Sequence, residues 1–146
     1  MLTDADETVL ASGWTTDVPG LMTLAKLSGT LERRADPGVP LKALLSYMDG
    51  DLTAIDSVAV RQRGGAFIAH AWDVLRQVPA GAPVTYSGFA ERAGRPAAVR
   101  AAAMACATNA AALFVPCHRV LRLDGSLGGF RWGLPVKRWL LDHEVI

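Results

Sequence analysis

Cysteine is scarce: Cys106 and Cys117 are the only two in 146 residues. Two thiols make no disulfide framework. They also fall short of the four ligands usual for a structural zinc site, and no CxxC or HxxxH spacing is present. Neither a metal nor another cofactor is therefore expected. Long hydrophobic runs are missing too. The apolar stretches are too short to cross a bilayer and are broken by charge, so no membrane partner is expected. The opening Met1-Leu2-Thr3-Asp4-Ala5-Asp6-Glu7 is acidic, unlike the basic start of a secretory signal, and a cytoplasmic location is the expectation. There is no internal repeat and no low-complexity tract, although residues 97–112 are rich in alanine.

What remains is a globular composition, 51% hydrophobic and 20% charged. The length suits one ordinary domain or two small packed ones. The net charge of +1 hides an asymmetry. Residues 1–63 hold six Lys/Arg and nine Asp/Glu, for −3, and residues 64–146 hold nine and five, for +4. The basic second half suits an anionic partner such as DNA, and equally a solvated surface of mixed charge.

Periodicity divides the chain in the same place. Val9 to Trp14 reads as a strand, Leu21 to Leu27 as a strand or short helix, and Val39 to Met48 as a helix with Leu41, Leu44, Leu45 and Met48 at helical spacing. Ile55 to Val60 reads as a further strand, and Gly64-Gly65 marks the boundary between domains 1–63 and 64–146. Beyond it, Phe67, Ile68, Ala71, Trp72 and Leu75 line a helix. Thr85 is a candidate N-cap for a short helix that stops at Gly94. Pro96 then opens a second helix running to about Thr108. Two helices joined by a tight glycine turn make a helix-turn-helix pattern, which is also common outside DNA-binding proteins. A last helix begins at Pro135 with Val136, Trp139, Leu140 and Val145 on its apolar side.

Cys117 and His118 are the residues with obvious chemistry. A lone Cys among apolar residues is usually a small core hydrophobe. Adjacent residues on an extended chain point to opposite sides, so a working Cys–His pair needs a turn or a bridging water.

The motifs say more. Pro116-Cys117-His118-Arg119-Val120 has Asn109 eight residues before the Cys. Gly129-Phe130-Arg131-Trp132-Gly133 and Lys137-Arg138-Trp139-Leu140-Leu141-Asp142-His143-Glu144 follow. This set resembles the O6-alkylguanine-DNA alkyltransferases, also called methylated-DNA–protein-cysteine methyltransferases, over roughly residues 56–146. The resemblance implies an α/β protein with a small N-terminal sheet domain similar to ribonuclease H. That domain matches poorly here and is expected to be trimmed by a strand or more. A C-terminal helical domain with a helix-turn-helix would follow. With no methylphosphotriester-sensing domain in the sequence, a stand-alone monomer is expected.

The same resemblance implies direct repair of double-stranded DNA containing O6-alkylguanine, by irreversible single-turnover alkyl transfer to Cys117. A free thiol is only a few per cent ionised at neutral pH. The family activates it through a water, with His118 as base and Glu144 as the carboxylate that orients the His. Asn109 would brace the active-site turn, Tyr86 would contact the flipped guanine, and Arg100 would fill the space it leaves. Ala97 and Ala101, with Ala98 and Ala102, would keep the groove-facing helix slim. The backbone around Val120 and Arg131 would form the guanine pocket. Phe130 stands where many relatives have Tyr, and Ala112 where some have a proline at the pocket wall, which implies a roomier pocket.

By their nature, Asn109 could be only a helix cap, Tyr86 a core aromatic, and Arg100 and Glu144 solvated surface charges. Two rival functions are a catalytically silent lesion-sensing DNA-binding protein, in which the acceptor Cys is usually replaced, and a cysteine hydrolase, for which no oxyanion motif is recognisable.

Overall fold

The computed structural model describes residues 1–36 and 38–145. It is a mixed α/β chain with two small sheets. In order come β1 (Leu2–Thr3), β2 (Val9–Ala11), α1 (Val18–Leu24), α2 (Gly38–Met48), α3 (Ala66–Leu75), β3 (Val84–Thr85), α4 (Tyr86–Arg92) and α5 (Val99–Ala107). A 3-10 turn (Cys117–Arg119), β4 (Val120–Leu121) and α6 (Leu134–His143) complete it. β1 and β2 pair antiparallel, and β3 and β4 pair parallel with Val84 opposite Val120. The chain divides into two compact units, Met1–Arg63 with Ala110–Phe114, and Gly64–Asn109 with the chain from Val115 onward.

The first unit is built on Val9, Ala11, Leu21, Tyr47, Ile55 and Val58, all buried. The segment 110–114 joins it, although the single break after Arg63 would have left that segment in the second half. Ser12 N–H donates to Ala110 O at 2.7 Å, Ala112 N–H to Ser12 O at 3.0 Å, and Ala110 N–H to Gln62 Oε1 at 2.8 Å. The strand expected over residues 55–60 is absent. Val58 N–H turns back to Ile55 O and Asp56 N–H to Thr53 O, so these amides are spent on turns. Ile55 and Val58 point inward three residues apart, a turn's spacing rather than a strand's alternation. The segment meets the sheet at its end, where Val60 bridges Val9: Val9 N–H donates to Ala59 O at 2.8 Å and Arg61 N–H to Val9 O at 3.0 Å.

The second unit packs α3, α4 and α5 together, with Trp72 Nε1–H of α3 donating to Ala105 O of α5 at 2.8 Å. Thr85 caps α4, its Oγ1 accepting from Gly88 N–H at 3.0 Å. The helix ends in a Schellman turn: Gly94 takes φ +84°, and the N–H groups of Gly94 and Arg95 return to Glu91 O and Ala90 O. The Arg95 guanidinium lies over the Phe67 ring at 4.7 Å, tying the turn to α3. α5 begins at Val99, not at Pro96. Ala98 stands at the cap position with no side chain able to satisfy the first amides, so the turn through Pro96 and Ala97 does not wind into the helix. On α6, Leu140 is buried. Trp139 and Val145 are 48% and 73% exposed, against the expected apolar side, and Trp139 stacks on His143 at 4.8 Å.

Candidate active site

All the polar groups of the site belong to the second unit. Pro116 opens the 3-10 turn, whose amides fold back at once: Cys117 N–H donates to Val115 O at 2.8 Å and Arg119 N–H to Pro116 O at 3.0 Å. The turn leaves the two adjacent side chains without a direct hydrogen bond to each other, Cys117 Sγ pairing with Asn109 and His118 Nε2 with Glu144. Cys117, 8% exposed, faces a cavity, while His118 and Arg119 turn into the interior at 0% and 2%.

Asn109, buried just past the end of α5, holds this turn from the other side. Its Nδ2 donates to Val115 O at 2.8 Å and to Cys117 Sγ at 3.2 Å. His118 Nε2 lies 2.8 Å from Glu144 Oε1. Arg119 forks onto the same carboxylate, Nε to Oε2 at 3.0 Å and Nη2 to Oε1 at 2.8 Å, while its Nη1 donates to Val78 O at 2.6 Å.

The electrostatics follow from burial and pairing. Burial alone would raise the Glu144 carboxyl, but hydrogen bonds from His118 and Arg119 outweigh it and hold the group at about 2. Glu144 is thus ionised and can only accept. Burial pushes His118 below its usual range, against the pull of Glu144, so the ring is neutral near neutral pH. Its one proton then sits on Nε2, toward Glu144, and Nδ1 carries the lone pair. Among the described residues Nδ1 is buried with no hydrogen-bond partner. Burial raises the Cys117 thiol, while the Asn109 hydrogen bond and the charges of Lys137 and Arg131 pull it back in part.

The cavity in front of Cys117 has a volume of about 410 Å³, enough for a purine-sized guest. It is lined by Tyr86, Ala103, Cys106, Ala107, Asn109, Cys117 and residues 129–132. Tyr86 opens α4, and its hydroxyl is pushed up by burial and by the two nearby thiols. Gly128 must be glycine there: φ is +70°, and a Cβ would stand 3.3 Å from the Tyr86 ring and hydroxyl. Arg131 reaches across the rim, its Nη2 donating to Ala107 O at 2.8 Å at the end of α5, where a cation suits the helix terminus.

The expected site residues thus fall into three groups. Asn109 with Cys117, and His118 with Glu144, form two buried hydrogen-bonded pairs, and Tyr86, Phe130 and Arg131 line the cavity. Arg100 is exposed on α5 and Ala101 is half-buried there. The others stand elsewhere. Ala97 lies in the turn before α5 rather than on the helix. Val120 is fully buried in β4 and offers its carbonyl to Lys137 instead of lining the cavity. Ala112 belongs to the first unit and is not among the lining residues, which removes the stated reason for a roomier pocket.

Several residues had no role assigned from the sequence. Arg119 and Lys137 sat in the quoted motifs but read as ordinary positive charge. Lys137 is 0% exposed, with Nζ donating to the carbonyls of Val120, at 2.8 Å, of Leu127, and of Gly129, at 3.4 Å. Trp132 and Cys106 line the cavity. The available signal for Arg119 and Lys137 was position alone: Arg119 directly follows Cys117-His118, and Lys137 heads the stretch that ends in Glu144. Nothing local pointed to Cys106. No group of three or more His, Cys, Asp or Glu able to hold a metal occurs among the described residues.

Residues 66–146 match the family model of the 6-O-methylguanine DNA methyltransferase, DNA binding domain. The bifunctional transcriptional activator/DNA repair enzyme Ada of Escherichia coli K12 is 50% identical over 83 residues, covering 57% of this chain and 23% of that protein. The methylated-DNA–protein-cysteine methyltransferase of Shigella flexneri is 38% identical over 109 residues, covering 75% of this chain. The chain spans 64% of that relative's length. Among solved structures, Mycobacterium tuberculosis OGT in complex with DNA is 30% identical with a TM-score of 0.62, covering 72% of this chain and 67% of that one. The O6-methylguanine-DNA methyltransferase of Pyrococcus kodakaraensis KOD1 is 25% identical with a TM-score of 0.72, covering 89% and 76%.

Proposed function

The chain belongs to the 6-O-methylguanine DNA methyltransferase family, and from that premise we propose that it repairs double-stranded DNA by moving an alkyl group from the O6 of guanine to Cys117. The observation that carries this reading is the two buried pairs, Asn109–Cys117 and His118–Glu144, on neighbouring residues of one turn, with Cys117 facing a purine-sized cavity.

In this reading α4 and α5 act as a helix-turn-helix in the minor groove. The first unit corresponds to the small ribonuclease H-like domain of relatives, cut down to a two-stranded sheet. The lesion leaves the stack, because its methylated oxygen cannot reach a buried sulfur inside a duplex. Arg100, exposed on α5, fills the vacated space, and Tyr86 and the loop of Phe130 and Arg131 receive the base. A water accepts the Cys117 proton and passes it to His118 Nδ1, while Glu144 steadies the imidazolium that forms. The thiolate then attacks the alkyl carbon. The S–C bond forms as the O–C bond breaks, and guanine leaves with the electron pair and is protonated. The thioether does not revert, so each molecule acts once. No cofactor enters, and the protein is taken to work as a monomer in the cytoplasm. Its described residues hold no helix long and apolar enough to cross a membrane.

Intact mass after exposure to a duplex containing O6-methylguanine tests this. One methyl per chain is expected, mapped to the Cys117 peptide and absent from Cys117→Ser. Turnover without a mass change, or methyl on Cys106, would overturn the assignment.

A further inference from the structure

Arg100 is not the only long side chain on the outer face of α5. Met104, one turn further on, is 53% exposed. The helix is otherwise small, reading Val-Arg-Ala-Ala-Ala-Met-Ala-Cys-Ala. Successive helical residues advance about 100°, so Arg100, Met104 and Ala107 share one face. Ala102 and Ala105 occupy the opposite face, fully buried. The cavity opens on the flank of Ala103, Cys106 and Ala107. Arg100 stands nearer that flank, and Met104 lies about 40° to the other side of Arg100, away from the cavity.

Two of these features point to a ligand. A long apolar side chain left in water forfeits the stabilisation that burial gives it. The exposed charges of α4, α5 and the turn between them are mostly basic, with Arg92, Arg95 and Arg100 against Glu91. An apolar tip on a mostly basic helix pair fits the inside of a DNA groove, where phosphates flank a stack of apolar base faces. Proteins that work in the minor groove insert such tips between base steps. Methionine suits the task, being unbranched, flexible and polarisable.

We propose that Met104 is an apolar wedge that enters the base step beside the lesion and loosens it. The inference rests on the reading of α5 as the minor-groove helix and assigns a second probe to it. Arg100 replaces the departed guanine, and Met104, about 6 Å further along the helix axis, opens the neighbouring stack. Unstacking that step lowers what remains to be broken when the lesion turns out. The contact serves duplex DNA only, since a free base has no stack to open.

Two probes separate the possibilities. One is a duplex carrying a single O6-methylguanine with 2-aminopurine as the adjoining base, and the other is free O6-methylguanine. Single-turnover methylation of Cys117 is followed on both, with 2-aminopurine fluorescence on the duplex. In the wild type the fluorescence should rise on binding. Met104→Ala should blunt that rise and lower the ratio of duplex rate to free-base rate roughly fivefold, within the range of single stacking contacts. Met104→Leu, which keeps an apolar tip, should restore both. An unchanged ratio in Met104→Ala overturns the wedge. So does a faster duplex reaction, which would mean that the side chain obstructs the groove. Failure of the wild type to methylate Cys117 from either probe removes the proposed function itself, and the wedge with it.

Discussion

Two cations are buried behind Cys117, and the site holds them differently. Arg119 forks onto the Glu144 carboxylate, so its charge is cancelled where it stands. Lys137 rests on the carbonyls of Val120, Leu127 and Gly129, which are dipoles without net charge. Burial lowers Lys137, and a thiolate at Cys117 would raise it again. The first cluster is electrically closed and fixes the orientation of His118. The second leaves a net positive charge, and that charge acts on the sulfur. In the proposed mechanism, one group organises the proton acceptor and the other favours the thiolate.

The sharpest way to break this contrast is Glu144→Gln. It strips the carboxylate from His118 and leaves Arg119 as an uncompensated buried charge. Methyl transfer should fall by roughly 10²–10⁴-fold, the range of lost acid–base assistance. Stability should fall by about 3–5 kcal/mol, as for a broken buried pair. Single-turnover methylation and urea unfolding measure the two. A variant with wild-type rate but lowered stability would reduce Glu144 to a structural partner of Arg119.

Lys137→Met should act less strongly and by another route. Removing one unbalanced charge should slow transfer roughly tenfold, worth about 1.4 kcal/mol. Of the three freed carbonyls only Val120 O loses a fully buried bond, which should cost about 1–3 kcal/mol of stability. Because burial already raises the Cys117 thiol, the rate should climb with pH in the wild type. In Lys137→Met that climb should move to higher pH. An unmoved profile would mean that Lys137 only fastens the loop.

Arg119→Lys is the milder test of the closed cluster. Lysine keeps the charge and loses the fork, along with some of the bond to Val78 O. A loss of about 1–2 kcal/mol in stability with a nearly unchanged transfer rate is expected. A rate loss as large as that of Glu144→Gln would place Arg119, not Glu144, in control of His118.

The difference between the cations also marks where sequence reasoning stopped. Cys117, His118, Asn109 and Glu144 received their roles from the family resemblance. Arg119 and Lys137 lie in the same motifs but received none, because a charge count treats every cation as surface. Both were part of the +4 of the second half, yet both are buried. Helices α2, α3 and α4 were legible from apolar spacing, a cap at Thr85 and a stop at Gly94. Residues 55–60 were not, since Ile55 and Val58 satisfy a turn as well as a strand and only tertiary packing chooses. The start of α5 was misjudged for want of a capping side chain at Ala98. Trp139 fits an apolar stripe on paper but stacks outside on His143.

The smallest expected effect is a slope, and it separates the two clusters without touching activity. His118 is held below its usual range in the folded chain. As pH falls below about 6.5, the unfolded chain binds a proton that the folded one refuses, and stability drops. Glu144 repeats this lower down. An unfolded carboxyl takes its proton near 4.5, whereas the folded one waits until about 2, so stability is lost progressively across that interval. The full span is worth about 3 kcal/mol, and no single proton contributes more than about 1.4 kcal/mol per pH unit. Both groups therefore make stability rise with pH on the acid side. Glu144→Gln removes the lower segment and keeps the upper one, so its curve should flatten below about pH 4.5. Lys137→Met removes neither titrating group, and its curve should run below that of the wild type and nearly parallel to it. Urea midpoints at pH 7, 5.5 and 4 for the three proteins decide the matter. If Lys137→Met flattens as Glu144→Gln does, the lysine belongs to the Glu144 cluster after all, and the separation between a closed and an open cation has to be abandoned.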